Sequence, residues 1–115
     1  MGLKEQLKAA AAPRKPLKVQ LDGLAEPLYV RVMSVGERDA WEVLALRSAS
    51  GRIPDNFRSR YLCTTLCDES GTRLFADDEW QQIADLDSGI IGNLFDVASR
   101  HNKLSEADIT ELAGE

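Results

Sequence analysis

The feature that most constrains this 115-residue chain is a change of hydrophobic period at Ser34. Before it, apolar residues alternate at Leu17, Val19 and Leu21, and again at Leu28, Val30 and Val32, with Tyr29, Arg31 and Met33 on the other face. A period of two is that of a half-buried strand. Asp22-Gly23-Leu24-Ala25-Glu26-Pro27 between the runs is turn chemistry, so the spacing predicts a hairpin with a long loop and strands over 17–21 and 28–33. A lone hairpin is marginal in water and has to pack on something.

That something is helical. Ser34-Val35-Gly36-Glu37 has the spacing of a capping box and opens a predicted helix over 35–48, with Ala40, Trp41, Leu44 and Ala45 on one stripe and Ser50-Gly51 as its stop. A second helix, 55–67, opens at Ile53-Pro54-Asp55 and carries Phe57, Tyr61 and Thr65 four apart, with Leu62 and Leu66 beside them. After the turn Asp68-Glu69-Ser70-Gly71, an extended piece is expected to deliver Leu74 and Phe75 to the core. Asp77, Asp78 and Glu79 suit the positive end of a helix bearing Trp80, Ile83 and Ala84. Asp87-Ser88 caps a predicted helix over 88–102 with Ile90, Ile91, Leu94, Phe95 and Ala98 at helical spacing, which Gly89 and Gly92 weaken by roughly 1 kcal/mol each. The expected fold is mainly α (α+β), a single small helical domain over 17–104 with a β-hairpin on its N-terminal side. An N-terminal helix and Pro linker over 1–16 precede it, and a short C-terminal helix or tail over 105–115 follows.

Charge is unevenly spread. Residues 1–20 hold five basic side chains against one acid, whereas residues 68–115 hold three against twelve. An acidic C-terminal half repels phosphate backbones, which disfavours nucleic acid as a partner. No apolar run approaches the roughly 20 residues of a membrane span, and Leu3-Lys4-Glu5-Gln6-Leu7-Lys8 interrupts the apolar stretch a signal peptide needs. The expectation is a cytoplasmic protein without a membrane partner.

No constellation in the sequence frames a reaction. Cys63 and Cys67 are too few for a disulfide framework, and zinc needs about four N/S ligands where His101 is the one histidine, so both read as small core hydrophobes. His101 itself sits where an imidazolium suits the negative end of a helix. Asp68 to Glu79 has the twelve-residue length of an EF-hand loop, but Arg73 stands where Gly is needed, so turns and caps are the better reading. Gly89-Ile90-Ile91-Gly92 is too short and too apolar to be a phosphate loop. Trp41 and Trp80 each lie on a helical apolar stripe and read as core. No catalytic, cofactor-binding or metal residue is assigned, and the expectation is a protein that is not an enzyme.

An ordered series of segments is more informative than any of these motifs. Glu26-Pro27-Leu28-Tyr29-Val30-Arg31-Val32-Met33-Ser34, Glu37-Arg38-Asp39-Ala40-Trp41-Glu42, Arg58-Ser59-Arg60-Tyr61-Leu62 and Thr65-Leu66-Cys67-Asp68-Glu69-Ser70-Gly71-Thr72-Arg73-Leu74-Phe75 follow one another. Asp77-Asp78-Glu79, Leu94-Phe95-Asp96-Val97-Ala98 and Asn102 continue the series. Over about residues 19–105 it resembles the tail assembly chaperones of long-tailed, siphovirus-type phages and prophages. The resemblance implies a small non-enzymatic protein that binds and solubilises the tape-measure protein, helps recruit tail-tube subunits and is absent from the mature virion. In many relatives a frameshift adds a C-terminal extension that engages the tail-tube protein; the sequence shows no such extension, and if one exists this chain is the short form. The competing expectation is a structural phage adaptor, a head–tail joining or minor virion protein. Self-association into a homo-oligomer is left open by the residues.

For partner binding, the sequence points to the stripe widened by Ile90, Ile91, Leu94 and Phe95, together with Ile109 and Leu112 of the terminal segment. Gly89 and Gly92 would let another backbone approach that stripe closely. The competing expectation is that the whole face closes the domain's own core.

Overall fold

A computed structural model describes residues 2–47 and 56–103. The predicted terminal helix, with Ile109 and Leu112, and the start of the second predicted helix at Ile53-Pro54-Asp55 lie outside the described residues. The element order is α1 (Leu3–Ala10), β1 (Leu17–Val19), β2 (Leu28–Val30), α2 (Val35–Arg47), α3 (Phe57–Thr65), β3 (Leu66–Cys67), a 3₁₀ turn (Asp77–Glu79), α4 (Trp80–Ala84) and α5 (Ser88–His101). It is a small α+β domain, with a three-stranded antiparallel sheet near the N-terminal side and five α-helices among the described residues.

The hairpin forms in the register that the alternation requires. Leu17 faces Val30, Lys18 faces Tyr29 and Val19 faces Leu28. Leu28 and Val30 are buried on one face of β2. Gly23 turns the loop between the strands with φ +93°, a conformation open to glycine without steric cost. The strands end two to three residues earlier than the alternation suggests, and from Arg31 the chain leaves strand geometry. Met33 is therefore buried although the period of two put it opposite Val30. Its N–H donates to Asn102 Oδ1 (2.7 Å), and Asn102 Nδ2 donates back to Arg31 O (3.1 Å). One side chain at the end of α5 thus ties the exit of the hairpin in place.

The capping box at α2 is formed as its spacing predicts. Ser34 N–H donates to Glu37 Oε1 (2.9 Å) and Glu37 N–H to Ser34 Oγ (3.2 Å). Glu37 Oε2 also meets Arg31 Nη1 at 2.6 Å. Trp41 is buried, but Ala40, placed beside it on the expected stripe, is exposed.

The third strand is a correction to the sequence reading, which ran the helix through to 67. Thr64 and Thr65 turn their hydroxyls back to Arg60 O (3.4 Å) and Tyr61 O (3.0 Å), which loosens the last turn of a helix. Leu66 is already extended (φ −73°, ψ 131°). The free edge of β2 takes up the two residues, pairing Tyr29 with Cys67 and Val30 with Leu66. Arg31 then satisfies the helix end, its N–H donating to Thr65 O (2.8 Å) and its Nη1 to Thr64 O (3.0 Å). The turn that follows is built by Asp68, whose Oδ1 accepts from Ser70 N–H and Thr72 N–H (both 3.0 Å), with Gly71 at φ +87°.

The core lies between α3, the sheet and the inner face of α5. Tyr61, Leu62, Cys63 and Cys67 have no exposed surface, and Ile83 of α4 and Leu94, Phe95 and Ala98 of α5 close over them. Four rings meet edge to face: Trp41 with Phe57 (5.2 Å) and Tyr61 (5.0 Å), and Phe95 with Phe57 (5.4 Å) and Tyr61 (5.3 Å). Trp80 is half-buried, with the Arg60 guanidinium 5.0 Å over its ring. Among the described residues, no helix is long and apolar enough to cross a membrane.

Candidate functional site

Two concavities show what this surface offers. The first lies beside the capping box and is lined by Gly36, Glu37, Ala40, Trp41, Thr64, Arg73 and Asp77, enclosing about 240 Å³. Its charges are already matched. Glu37 pairs with Arg31, and Arg73 donates to Asp77 Oδ1 (2.6 Å) and to Cys63 O (2.9 Å). Partial burial pushes the Glu37 carboxyl up, but the hydrogen bonds from Arg31 and from the Ser34 backbone, with the Arg31 charge, outweigh it and hold the group below its usual range.

The second concavity is larger, about 380 Å³, and almost wholly apolar. Its floor is Leu28 of β2, Leu66 of β3, Ile83 of α4 and Leu94 of α5. One wall is the hairpin loop, through Leu21 and Leu24. A second is the extended segment, through Leu74 and Phe75, and a third is Leu86, Ile90 and Ile91 at the start of α5. Leu24, Leu74, Leu86 and Ile90 are 46 to 53% exposed, so the rim holds four large aliphatic side chains half in water. Asp87 is the polar residue of the lining, and it is occupied: its Oδ1 accepts from Gly89 N–H (2.9 Å) and Ile90 N–H (3.0 Å) as the N-cap of α5. Leu86 before that cap and Ile91 four residues into the helix hold the positions of a hydrophobic staple, and both line the groove.

The residues expected to bind a partner therefore divide. Ile90, Ile91 and Leu94 line the groove. Phe95 does not; it is buried in the aromatic cluster, with the Arg58 guanidinium 5.4 Å over its ring. Ile109 and Leu112 lie outside the described residues. The two glycines also separate. A Cβ on Gly92 would meet nothing within 4 Å, whereas one on Gly89 would come within 3.2 Å of the capping Asp87 carboxylate, so Gly89 serves the cap. Leu21, Leu24, Leu74 and Leu86 line the groove as well, although the sequence does not single them out. Leu74, expected in the core, is half exposed, and Leu24 stands out in the sequence as a large apolar residue inside a turn.

Cys63, Cys67, Asp68 and His101 all lie outside the groove lining. Both thiols are buried, and desolvation pushes Cys63 up to about 11 and raises Cys67, away from the thiolate that reacts. The hydrogen bond from Ser70 and those from the Thr72, Ser70 and Gly71 backbone hold the Asp68 carboxyl below its usual range. His101 lies in the last turn of α5, where its carbonyl accepts from Arg14 Nη2. Among the described residues, no group of three or more His, Cys, Asp and Glu side chains is placed to hold a metal ion.

No family model, no curated protein and no solved structure matches this chain.

Proposed function

We propose that the chain is an assembly chaperone that shields apolar stripes of a long helical client, and that the client is a tape-measure protein, as in the phage tail assembly chaperones it resembles. The observation that supports this reading is the groove between the hairpin loop, Leu74 and the start of α5. A rim of half-exposed leucine and isoleucine around an apolar floor suits the apolar face of an amphipathic helix, which docks through side chains three and four residues apart. A tape-measure protein is a long helix-forming chain whose stripes aggregate unless covered. The net charge of −5 would keep coated complexes from associating with one another. On this reading the protein works in the host cytoplasm, carries out no reaction, helps bring in tail-tube subunits and leaves before the particle is finished.

Co-expression with the tape-measure protein of the same phage or prophage tests it. The wild-type chain should hold the client in the supernatant, and Ile90→Asp or Leu86→Asp, still folded by circular dichroism, should let it sediment. Folded groove variants that solubilise the client as well as wild type would overturn the reading. So would the presence of the chain in stoichiometric amounts in purified tails, which would favour a built-in adaptor.

A further inference from the structure

We infer that the groove receives α1 of a second copy of this chain. Helix α1 is eight residues long and buries none of them on its own domain, with Leu3 80% and Leu7 65% exposed. A helix shorter than about 12 residues is marginal in water without tertiary support, so α1 needs a surface to dock on. Leu3, Leu7 and Ala10, with Ala11 at the C-cap, form a narrow stripe at i, i+4, i+7 and i+8, the form of ligand an aliphatic groove accepts.

Charge selects the pair. Lys4 and Lys8 follow the two leucines, and Arg14, Lys15 and Lys18 continue the basic arm. Among the described residues no basic side chain lines the groove, and the exposed acids Asp22, Asp85 and Asp87 stand beside or among its lining residues, while Arg73, next to Leu74, is paired with Asp77. The chain's own α1 does not fill the groove, since none of its residues is buried. Reciprocal exchange of α1 between two copies closes a two-fold dimer with two identical contacts. A membrane surface is the weaker occupant for α1, because a stripe of two leucines and two alanines lacks the aromatic and larger apolar face of interfacial helices. The inference does not depend on the client reading, but the client helix and α1 would fit the same groove and exclude one another there, so a bound client takes the place of the dimer contact.

Sedimentation velocity over a concentration series tests it with full-length proteins. Wild type should dimerise, and both Leu3→Asp/Leu7→Asp and Leu86→Asp/Ile90→Asp should weaken association by about a hundredfold or more. Mixing the two variants should restore a mixed dimer that neither forms alone, because one intact α1 then meets one intact groove. A monomeric wild type, a dimer that survives either pair of substitutions, or a mixture that stays monomeric would each overturn the inference. Binding of α1 to anionic vesicles in place of self-association would overturn it as well. The client reading fails separately: Leu3→Asp/Leu7→Asp leaves the groove intact and should still solubilise the client.

Discussion

The two ends of α5 sit in opposite environments. Around Phe95 and Ala98 the helix is sealed: rings from α2, α3 and α5 interlock edge to face at 5.0–5.4 Å, and Asn102 is hydrogen-bonded to the hairpin exit. Around Ile90 and Ile91 the same helix is half open, facing Leu21 and Leu24 of the hairpin loop and Leu74 and Phe75 of the extended segment. Both surfaces are apolar, so hydrophobicity alone does not tell them apart. What differs is closure. Aromatic pairs fix one geometry and gain beyond the area they bury, whereas a rim of leucine and isoleucine can accept different shapes. The sealed end holds the fold, and the open end is left available.

If that division is right, the largest effect on stability belongs to the sealed end. Phe95→Ala removes a ring that contacts both Phe57 and Tyr61, and should destabilise the protein by about 3–5 kcal/mol. Urea unfolding measures it. A loss below about 1 kcal/mol would mean the cluster is not the structural centre. Asn102→Ala comes next. It strands Met33 N–H and Arg31 O in a half-buried place, and should cost about 2 kcal/mol, with faster amide exchange at Met33 as the local signature. Unchanged exchange there would break the link between the end of α5 and the hairpin.

The same contrast explains what could be read from the sequence. The hairpin, the capping box and the bounds of α5 were legible because each rests on local chemistry: alternation at Leu28 and Val30, Ser34 three residues before Glu37, and Asp87 before Ser88. Strand β3 was not legible, because Leu66-Cys67 is extended by the free edge of β2 and by Arg31, both more than thirty residues earlier in the chain. The groove was half legible. Ile90 and Ile91 stand out as an unusually wide stripe, but Leu21, Leu24, Leu74 and Leu86 come together only through the tertiary fold. Phe95 looked the same as Ile91 by spacing, and only packing puts it on the sealed side.

A smaller effect is expected at Glu37, which joins the hairpin exit to α2. Its carboxyl titrates below the ordinary value of 4.5 in the folded protein, because Arg31 and the Ser34 N–H prefer it charged. A depressed folded value means the contribution is fully present above the unfolded value and is lost as pH falls through the folded one. With both side chains partly in water, the pair and cap together are worth about 0.5–1 kcal/mol. The stability difference between wild type and Glu37→Gln should therefore be steady at neutral pH and shrink in acid. A difference that stays constant down to about pH 3 would assign it to packing instead.

The sharpest test of the division is at Ile90, where the effect on stability is again small. The side chain is 46% exposed, so about half of its apolar area is lost to the fold when it is replaced. Position 90 is the third residue after the Asp87 cap, within the first turn of α5, where a negative side chain is favoured by the helix dipole. The nearby Asp87 carboxylate opposes that gain, since both groups are anionic. The two electrostatic contributions oppose each other, which leaves the half-buried apolar area, and Ile90→Asp should lower the unfolding free energy by about 1 kcal/mol. Phe95→Ala, one helical turn or so away, should cost several times as much. If the open end of α5 is a docking surface, this mild substitution should abolish both solubilisation of the client and the α1-dependent dimer, while Asn102→Ala, the more destabilising change, should leave both intact under conditions where it stays folded. An Ile90→Asp protein that unfolds as readily as Phe95→Ala would show that the groove is part of the core, and the two ends of α5 would then be one surface.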